Sequence, residues 1–505
     1  MTVSTTLSEL FTKGAGAERF WAALYGELSD KRADGTRKLL SAFLRATMDE
    51  VRVARAEELA AAFLEVEDID DTVHFRHGVL RRERGGDIAY TGQRDHAAHT
   101  VNNYLLGWAL YLSNERIYDS VRQALATRSG ISPSSIPRAR VDNRFNAVWL
   151  FASLLHDVGY LLEGGLGSTD TTVLPGGTDR GAQVVRDYFQ HRCWTEFGLN
   201  ARHRQIARDR FGDGLPPSLD GSSLGSLAAG LTDLGNTSAS WSAASAELRD
   251  WGWPVPNSTD KYPDAFGLWR AHFKQFGSPQ MVQAIELCQE NFGELAWRGL
   301  PKFGQRVIDH GVASGLILLR VSTLYFQLSA LLNEEQVDPA LAPLRAAIHW
   351  REERDGMNYG PYWWWHGVLW GTGAAAVHNV LQMKSVWKNA EVVTQDLSLP
   401  VEDAPIASLG ILVDVLQEWD RYSVRRGGMA TVYGRDTGEA PVQSTEVELD
   451  LTGPTLRFAG WSEERLGKLR KELDRSLEGW EQWVTVQRAM EPGGGSHQSG
   501  DGTSA

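Results

Sequence analysis

The sequence predicts an all-α, mainly helical protein with a long irregular insertion and a small C-terminal β-hairpin followed by a helix. Apolar residues recur at the three-to-four-residue spacing of helices through most of the chain. Gly, Ser and Pro interrupt this pattern between Glu163 and about Asp260. Near the C-terminus, apolar and polar residues alternate as in strands.

The first helices are predicted within residues 17–66, where apolar residues such as Leu40 and Phe43 recur at helical spacing. A long helix follows from Arg94–Val101 into NNYLLGWALYLSN. Its apolar face is predicted to hold Val101, Tyr104, Leu105, Trp108 and Leu112. Pro133 and Pro137 then separate it from the apolar helix that begins near Ala147.

After the insertion, helices are predicted at 280–291, 303–332, 367–388 and 406–421. The run from Gly311 to Leu332 contains one charge, Arg320, and several polar residues, which favours a buried helix over a membrane span. Glu446–Leu451 and Thr455–Phe458 flank a turn and predict a hairpin, and Ser462 is placed to cap the last helix.

These patterns divide the chain into six parts. They are an N-terminal helical region (1–89), the first part of the core domain (90–162), an insertion or lid (163–260), the second part of the core domain (261–430), a hairpin and helix appendage (431–490) and a disordered tail (491–505).

Composition narrows the class of protein. The net charge of −13 argues against nonspecific nucleic-acid binding, which needs a basic surface. Only two cysteines are present, so no disulfide framework is expected and a reducing compartment fits. The N-terminus has no basic segment followed by an apolar one, so no signal peptide is expected. Together these features predict a cytoplasmic protein without a membrane span.

The most informative stretch is the apolar run from Ala147 that ends in His156-Asp157 and Gly159. Burying an unpaired carboxylate beside an imidazole costs roughly several kcal/mol unless a partner neutralises the charge. A divalent cation does so, because it binds the carboxylate and the imidazole lone pair.

Further candidate ligands lie on or at the ends of predicted apolar helices, namely His99, His310, His378 and Asp414. Each has a simpler interpretation by itself. A single histidine on an apolar face is more often a hydrogen-bonded core residue than a ligand. Asp414 could instead pair with Arg421, two helical turns further on.

The ordered series of His99, His156-Asp157, His310, His378 and Asp414 resembles the HD-domain superfamily of metal-dependent phosphohydrolases. The resemblance covers roughly residues 90–425, with 163–260 as an insertion. Its most specific parts are Arg94–Val101 and Leu154–Tyr160.

The resemblance implies a first metal site and a second one. His99, His156, Asp157 and Asp414 would form the first. His310 and His378 resemble the phosphodiesterase-like branch, which includes cyclic-nucleotide phosphodiesterases and HD-GYP proteins, and would bind a second ion bridged by Asp157. No GYP triplet follows the His-Asp pair, because Gly159-Tyr160 is followed by Leu161.

The ligand types suit one or two divalent ions of Mn, Fe, Mg, Ni, Co or Zn. Two such ions can hold a hydroxide and clamp both ends of a phosphoryl displacement. Asp157 is therefore predicted to be catalytic as the bridging ligand. His96, one turn before His99, is a candidate acid for the leaving oxygen, and it could equally be an alternative ligand or a residue that orients one.

Phosphate recognition needs cationic side chains near the metals. The basic residues closest in sequence to the motifs are predicted to bind substrate, namely Arg94, Lys302, Arg306, Arg320 and Arg421. Each could instead be an ordinary surface ion-pair partner. The Trp363–Trp365 run could stack a base, although buried aromatic residues more often simply pack.

The function predicted on this basis is metal-dependent hydrolysis of a phosphoester in a small phosphorylated or nucleotide-like substrate. Two alternatives are a non-catalytic HD module that senses a nucleotide or binds a partner, and an HD-type di-iron oxygenase. A third role is assembly, since the C-terminal appendage could bind a protein partner or a second copy of the chain.

Overall fold

The computed structural model describes twelve stretches of the chain. They are residues 1–26, 30–46, 49–66, 72–85, 96–161, 265–292, 309–322 without 320 and 321, 364–388, 391–420, 422–424, 430–432 and 443–489. The predicted insertion at 163–260 and the predicted disordered tail lie outside the described residues.

The described part of the chain is mainly helical, which confirms the predicted fold class. The helices are α1 (Val3–Thr12), α2 (Gly14–Tyr25), α3 (Asp30–Arg45), α4 (Asp49–Val66), α5 (Val73–Gly85), α6 (His96–Ser113), α7 (Glu115–Ser129), α8 (Arg138–Trp149), α9 (Ala265–Gln275), α10 (Pro279–Phe292), α11 (residues 310–319), α12 (Leu369–Gln382), α13 (Pro405–Leu416) and α14 (Glu463–Ser476). No described helix has both the length and the apolar composition needed to cross a membrane.

Helix α6 lies at the centre of the core. The prediction gave it a single apolar face, but every residue from His96 to Tyr111 is buried. It contacts α4, α5, α7 and α13, so no side of its first four turns faces solvent. Polar side chains on this helix therefore need partners inside the protein.

Helix α8 does not run straight into the His-Asp pair. Its last residues continue as a π-helical turn at Leu150–Leu154, in which the N–H of Leu155 donates to the carbonyl of Leu150 at 3.1 Å. Such turns add a residue to the helical repeat and are frequent at functional sites. The turn changes the direction in which the following residues, His156 and Asp157, project.

Two predicted helices are shorter than expected. The helix predicted at 367–388 ends at Gln382 and is followed by strand β1 (Ser385–Lys388), which pairs antiparallel with β2 (Glu391–Thr394). The helix predicted at 406–421 ends at Leu416, so the proposed two-turn spacing from Asp414 to Arg421 does not exist within one helix.

Small residues bring α11 and α12 close together. A Cβ atom at Gly315 would lie 2.7 Å from the Cβ of Ala376 and 2.8 Å from the carbonyl oxygen of Thr372. Gly371 approaches Phe151, and Gly373 approaches Phe273, with the same tightness. The small residues before His378 therefore let neighbouring elements pack closely against α12.

The C-terminal strands and helix pack on the helical core. Short strands β3 (Leu399–Pro400), β4 (Tyr422–Val424) and β5 (Ala430–Val432) precede the predicted hairpin, which is formed by β6 (Val447–Asp450) and β7 (Thr455–Phe458). Strand β8 (Leu477–Glu478) pairs with β3, and β9 (Thr485–Arg488) adds parallel to β7. Ser462 caps α14 as predicted, by accepting a hydrogen bond from the N–H of Arg465.

Helix α14 is tied to the end of α12. The hydroxyl of Ser476 donates to the carbonyl of Leu381 at 2.9 Å, and Arg475 Nη2 donates to the carbonyl of Gln382 at 2.7 Å. The first residues of the chain also join this region, because Thr2 forms a β-bridge with Glu448. The appendage is thus in contact with the helix that carries His378.

Candidate metal centre

The six residues predicted to bind metal come together in one buried cluster. His99 lies in the first turn of α6, and His156-Asp157 follows the π-helical turn. The other three lie at the start of α11, in α12 and in the last turn of α13, and they are His310, His378 and Asp414.

One side of the cluster joins His99, His156 and the two carboxylates. His99 Nε2 lies 2.8 Å from Asp414 Oδ1 and 3.9 Å from Asp157 Oδ2. His156 Nε2 lies 3.3 Å from Asp157 Oδ1 and 3.7 Å from Asp414 Oδ1.

The other side joins Asp157 to the two later histidines. His310 Nε2 and His378 Nε2 lie 3.7 and 3.8 Å from Asp157 Oδ1 and 3.3 Å from each other. Ligands bound to one ion at about 2.0–2.2 Å must lie within roughly 4.4 Å of one another. Two trios meet this kind of spacing, namely His99, His156 and Asp157, and Asp157, His310 and His378. The described groups could therefore hold a metal ion, with Asp157 common to both trios.

Acceptor oxygens orient three of the imidazoles. Nδ1 of His156 faces the carbonyl of Ser153, and Nδ1 of His378 faces the carbonyl of Ala375. Nδ1 of His99 faces the side-chain oxygen of Gln417. Because these oxygens only accept hydrogen bonds, each Nδ1 donates a proton and the neutral ring keeps its lone pair on Nε2. This is the arrangement that metal-binding histidines have.

The same orientation leaves electron pairs facing one another. The Nε2 lone pair of His99 points at a carboxylate oxygen 2.8 Å away, and the Nε2 atoms of His378 and His310 are 3.3 Å apart. The buried Nε2 of His156 has no hydrogen-bond partner of acceptable geometry. Such contacts are repulsive unless a proton or a cation lies between the atoms. The donor set thus fits a divalent ion.

The carboxylates are held in their charged form. Burial by itself would raise the pKa of Asp157, but the imidazoles of His156 and His96 outweigh it and hold the pKa well below its usual range. Burial likewise would raise the pKa of Asp414, but the close imidazoles of His156 and His99 keep it well below the usual value. Ionised carboxylates are the form that binds metal.

The histidines differ in their affinity for protons. Burial lowers the pKa of His378 to about 3, and the neighbouring charges of His156 and His310 act in the same direction. Burial would also lower the pKa of His156, but the carboxylates of Asp157 and Asp414 raise it above the ordinary value. A metal ion at this cluster would thus displace a proton from His156 more than from His378.

Two glycines allow the cluster to close across the long insertion. A Cβ atom at Gly159 would lie 1.9 Å from the carbonyl oxygen of His310, and the N–H of Gly159 donates to Ser314 Oγ at 2.7 Å. A Cβ atom at Gly311 would lie 2.9 Å from the ring of His378. Only glycine permits backbones to approach so closely, and this approach places His310 beside Asp157.

Several polar residues that support the ligands were missed by the sequence analysis. Asn103 Nδ2 lies 3.1 Å from His99 Nε2, and Gln382 Nε2 donates to Asp414 Oδ2 at 2.7 Å. Each amide stands four residues after a histidine on the same helix, a spacing visible in the sequence. Asp309 and Asn379, each adjacent to a histidine, hydrogen-bond to each other at 2.9 Å.

Arg76 was missed as well, and no local pattern indicates it. Its buried guanidinium donates to Thr100 Oγ1 at 2.6 Å, to the carbonyl of Leu154 at 2.7 Å and to Glu57 Oε1 at 2.7 Å. It also donates to the carbonyl of Ala97 at 3.2 Å. One side chain of α5 thus links the helix of His99 to the turn before His156.

His96 lies beside the cluster. Its ring centroid is 4.0 Å from that of Tyr160, and Tyr160 stacks on His310 at 3.9 Å. His96 also lines a cavity of about 270 Å³, including its mouth, together with Arg76 and Asp157. His96 therefore lies next to the carboxylate that both trios share.

The residues predicted to bind substrate are not among those that the structure describes. They are Arg94, Lys302, Arg306, Arg320 and Arg421. Trp363 is also outside the described residues, so its part in binding a base stays a prediction.

Fold and site together define a mainly helical protein with a buried histidine and aspartate cluster that could hold metal. Comparison of the chain with protein-family models, with curated proteins and with solved structures found no match.

Proposed function

We propose that the chain is a metal-dependent phosphohydrolase of the HD-domain type, acting on a phosphoester in a nucleotide-like substrate. The observation that carries the proposal is the position of Asp157. Its Oδ2 lies 3.9 Å from His99 Nε2, and its Oδ1 lies 3.3, 3.7 and 3.8 Å from Nε2 of His156, His310 and His378, so both ligand trios share this carboxylate. A carboxylate with ligand trios on both sides suits a pair of ions and not a single structural one.

The order of the ligands supports the same proposal. The motif residues meet although His99 and Asp414 are 315 residues apart in the chain. In the HD-domain pattern the ligands follow one another as they do here. Bound divalent ions would supply Lewis acidity at the phosphoryl group and lower the pKa of a coordinated water.

The protein's own residues have separate tasks in this proposal. Asp157 contributes a carboxylate to both ligand trios. The oxygen atoms that accept hydrogen bonds from Nδ1 of His99, His156 and His378 fix the orientation of these rings. His96 donates the proton to the leaving oxygen from its position beside Asp157. The surrounding helices exclude water, because all six ligand residues are buried.

The test begins with elemental analysis of the purified full chain. Turnover is then assayed against p-nitrophenyl phosphate, bis-p-nitrophenyl phosphate and a panel of linear and cyclic nucleotides. Asp157→Asn removes one charge and keeps the shape of the side chain. Asp119→Asn is the matched control, because Asp119 is an exposed carboxylate on α7 that pairs with Arg122.

One or two ions per chain and turnover that is lost only in Asp157→Asn are the expected results. A protein that binds no metal would overturn the proposal. Metal binding without hydrolysis of any substrate would instead favour the non-catalytic module, and oxygen uptake by the iron-loaded protein would favour the oxygenase.

A further inference from the structure

A second cavity, separate from the metal centre, is lined by several cationic side chains. It is open to solvent and lies between the end of α7, helix α8 and the turn before α12. Its described lining consists of Leu125, Arg128, Ser129, Ile131, Ile136, Arg140, Arg144, Val148 and His366. This described lining contains no carboxylate.

Arg128 is the central residue of this cavity. Its guanidinium is buried and packs over the ring of Trp370, with Cζ 3.9 Å from the ring centroid. One nitrogen donates to the carbonyl of Ala124 at 3.1 Å, whereas its Nε has no hydrogen-bond partner. Among the described residues no acid pairs with it, and burial lowers its pKa to about 9.

Two further guanidiniums approach from α8. Arg140 and Arg144 are one helical turn apart and line the same cavity. His366 lies near both Arg128 and Arg144. Burial lowers the pKa of His366 to about 3, and the positive charges of these two arginines act in the same direction. Arg128 is buried, no described acid pairs with it, and a buried cation without a counter-charge is costly.

An anion would remove this cost. Guanidinium groups bind phosphate oxygens with two parallel hydrogen bonds and match their planar geometry. The apolar part of the wall, formed by Leu125, Ile136 and Val148, would suit a carbon group attached to the phosphate.

We propose that this cavity binds a phosphate group, either as inorganic phosphate or on a small organic molecule. The site is distinct from the metal centre. None of the residues that line this cavity belongs to the two ligand trios. The proposal does not depend on the proposed hydrolase activity.

The binding of phosphate is tested by calorimetric titration of the full-length protein after metal removal. The Asp157→Asn variant is titrated in parallel, so that binding at the metal centre is recognised. Arg140→Gln/Arg144→Gln removes two charges from the cavity. Arg116→Gln/Arg122→Gln removes two charges from the adjacent helix α7 and is the matched control, since neither residue lines the cavity.

Wild type, Asp157→Asn and the control pair are expected to bind phosphate alike, and the cavity pair at least tenfold more weakly. Arg128→Met should abolish binding. If that buried change prevents folding, the cavity pair still decides, because Arg140 is exposed and Arg144 only partly buried. Equal binding by the cavity pair and the control pair, or no binding by wild type at millimolar phosphate, would overturn the proposal.

Phenyl phosphate separates the two sources of the phosphate group. Tighter binding of phenyl phosphate than of inorganic phosphate supports an organic phosphomonoester that uses the apolar wall. Equal or weaker binding supports inorganic phosphate as the ligand.

Discussion

The Nδ1 atom of His99 meets the side-chain oxygen of Gln417, 318 residues further along the chain. The amide of Gln417 is fixed in this orientation because its nitrogen donates to the carbonyl of Trp419. The hydrogen bond directs His99 Nε2 toward the two carboxylates. The end of α13 thus sets the orientation of a ring on α6.

Gln417→Leu should weaken metal binding about 10- to 100-fold, because the ring of His99 loses the acceptor that orients it. Gln417→Glu keeps an acceptor and should restore most of the affinity. Competition titration with a chelating dye measures both variants, and circular dichroism checks their fold. Equal affinities for wild type and Gln417→Leu would show that this hydrogen bond does not control the ring.

Arg76→Met should destabilise the protein by about 3–5 kcal/mol, because it leaves the largely buried carboxylate of Glu57 without its guanidinium partner. The carbonyls of Ala97 and Leu154 also lose their donor. Urea unfolding of the metal-free protein measures the change.

The control for Arg76 is Arg55→Met on α4, where an exposed pair with Glu58 is removed. This change should cost less than about 1 kcal/mol. A similar loss in both variants would mean that Arg76 contributes no more than a surface ion pair.

Gly159→Ala should disturb the cluster from the backbone. The added Cβ would meet the carbonyl of His310 at 1.9 Å and the N–H nitrogen of Ser314 at 2.6 Å, so α11 must move away. A cost of about 1–3 kcal/mol or more is expected. The number of bound ions should fall as His310 leaves Asp157, which elemental analysis detects.

Gly467→Ala is the matched control for this substitution. Gly467 lies inside α14 and a Cβ atom there meets nothing within 4 Å. Alanine should stabilise the helix by about 0.5–1 kcal/mol and leave metal content unchanged. A Gly159→Ala protein with full metal content would contradict the close approach of the two backbones.

His366 should make the metal-free protein less stable in acid. Its folded-state pKa is lowered to about 3, first by burial and then by Arg128 and Arg144, whereas the unfolded side chain titrates near its ordinary value of 6.5. Between these values the unfolded state binds a proton that the folded state does not. Stability is therefore lost as pH falls below about 6.5, by up to about 1.4 kcal/mol per pH unit.

His366→Asn removes this proton uptake. As pH falls from 6.5 to 4, the free energy of unfolding of wild type should therefore decrease by more than that of His366→Asn. Urea unfolding in phosphate-free buffer at several pH values gives this difference. A difference that is constant over the interval would show that His366 titrates in the folded protein as it does in the unfolded chain.

Much of the fold and the ligand set followed from local sequence patterns. Helical periodicity predicted α10 closely, and alternation predicted the β6–β7 hairpin. The six candidate ligand residues were identifiable because His and Asp on or at the ends of apolar helices stand out against their surroundings. Their convergence was then implied by order alone.

The remaining features depend on contacts between distant segments. Nothing near Leu150 indicates a π-helical turn, and nothing near Arg76 indicates that it links two other elements. The helix predicted through Lys388 ended early because Val386 and Val393 pair across two strands, and cross-strand partners are not visible in one segment.

Because Asp157 belongs to both ligand trios, two ions at this centre could not bind independently. If the first ion changes the affinity for the second by some factor, the second ion changes the affinity for the first by the same factor. This holds because the total free energy of binding both ions does not depend on the order in which they bind. A substitution at His378 would therefore alter the affinity for the ion on the side of His99, although His99 and His378 belong to different trios. A metal titration of a variant that lacks one ligand would therefore report the coupled binding of both ions and not the affinity of one site.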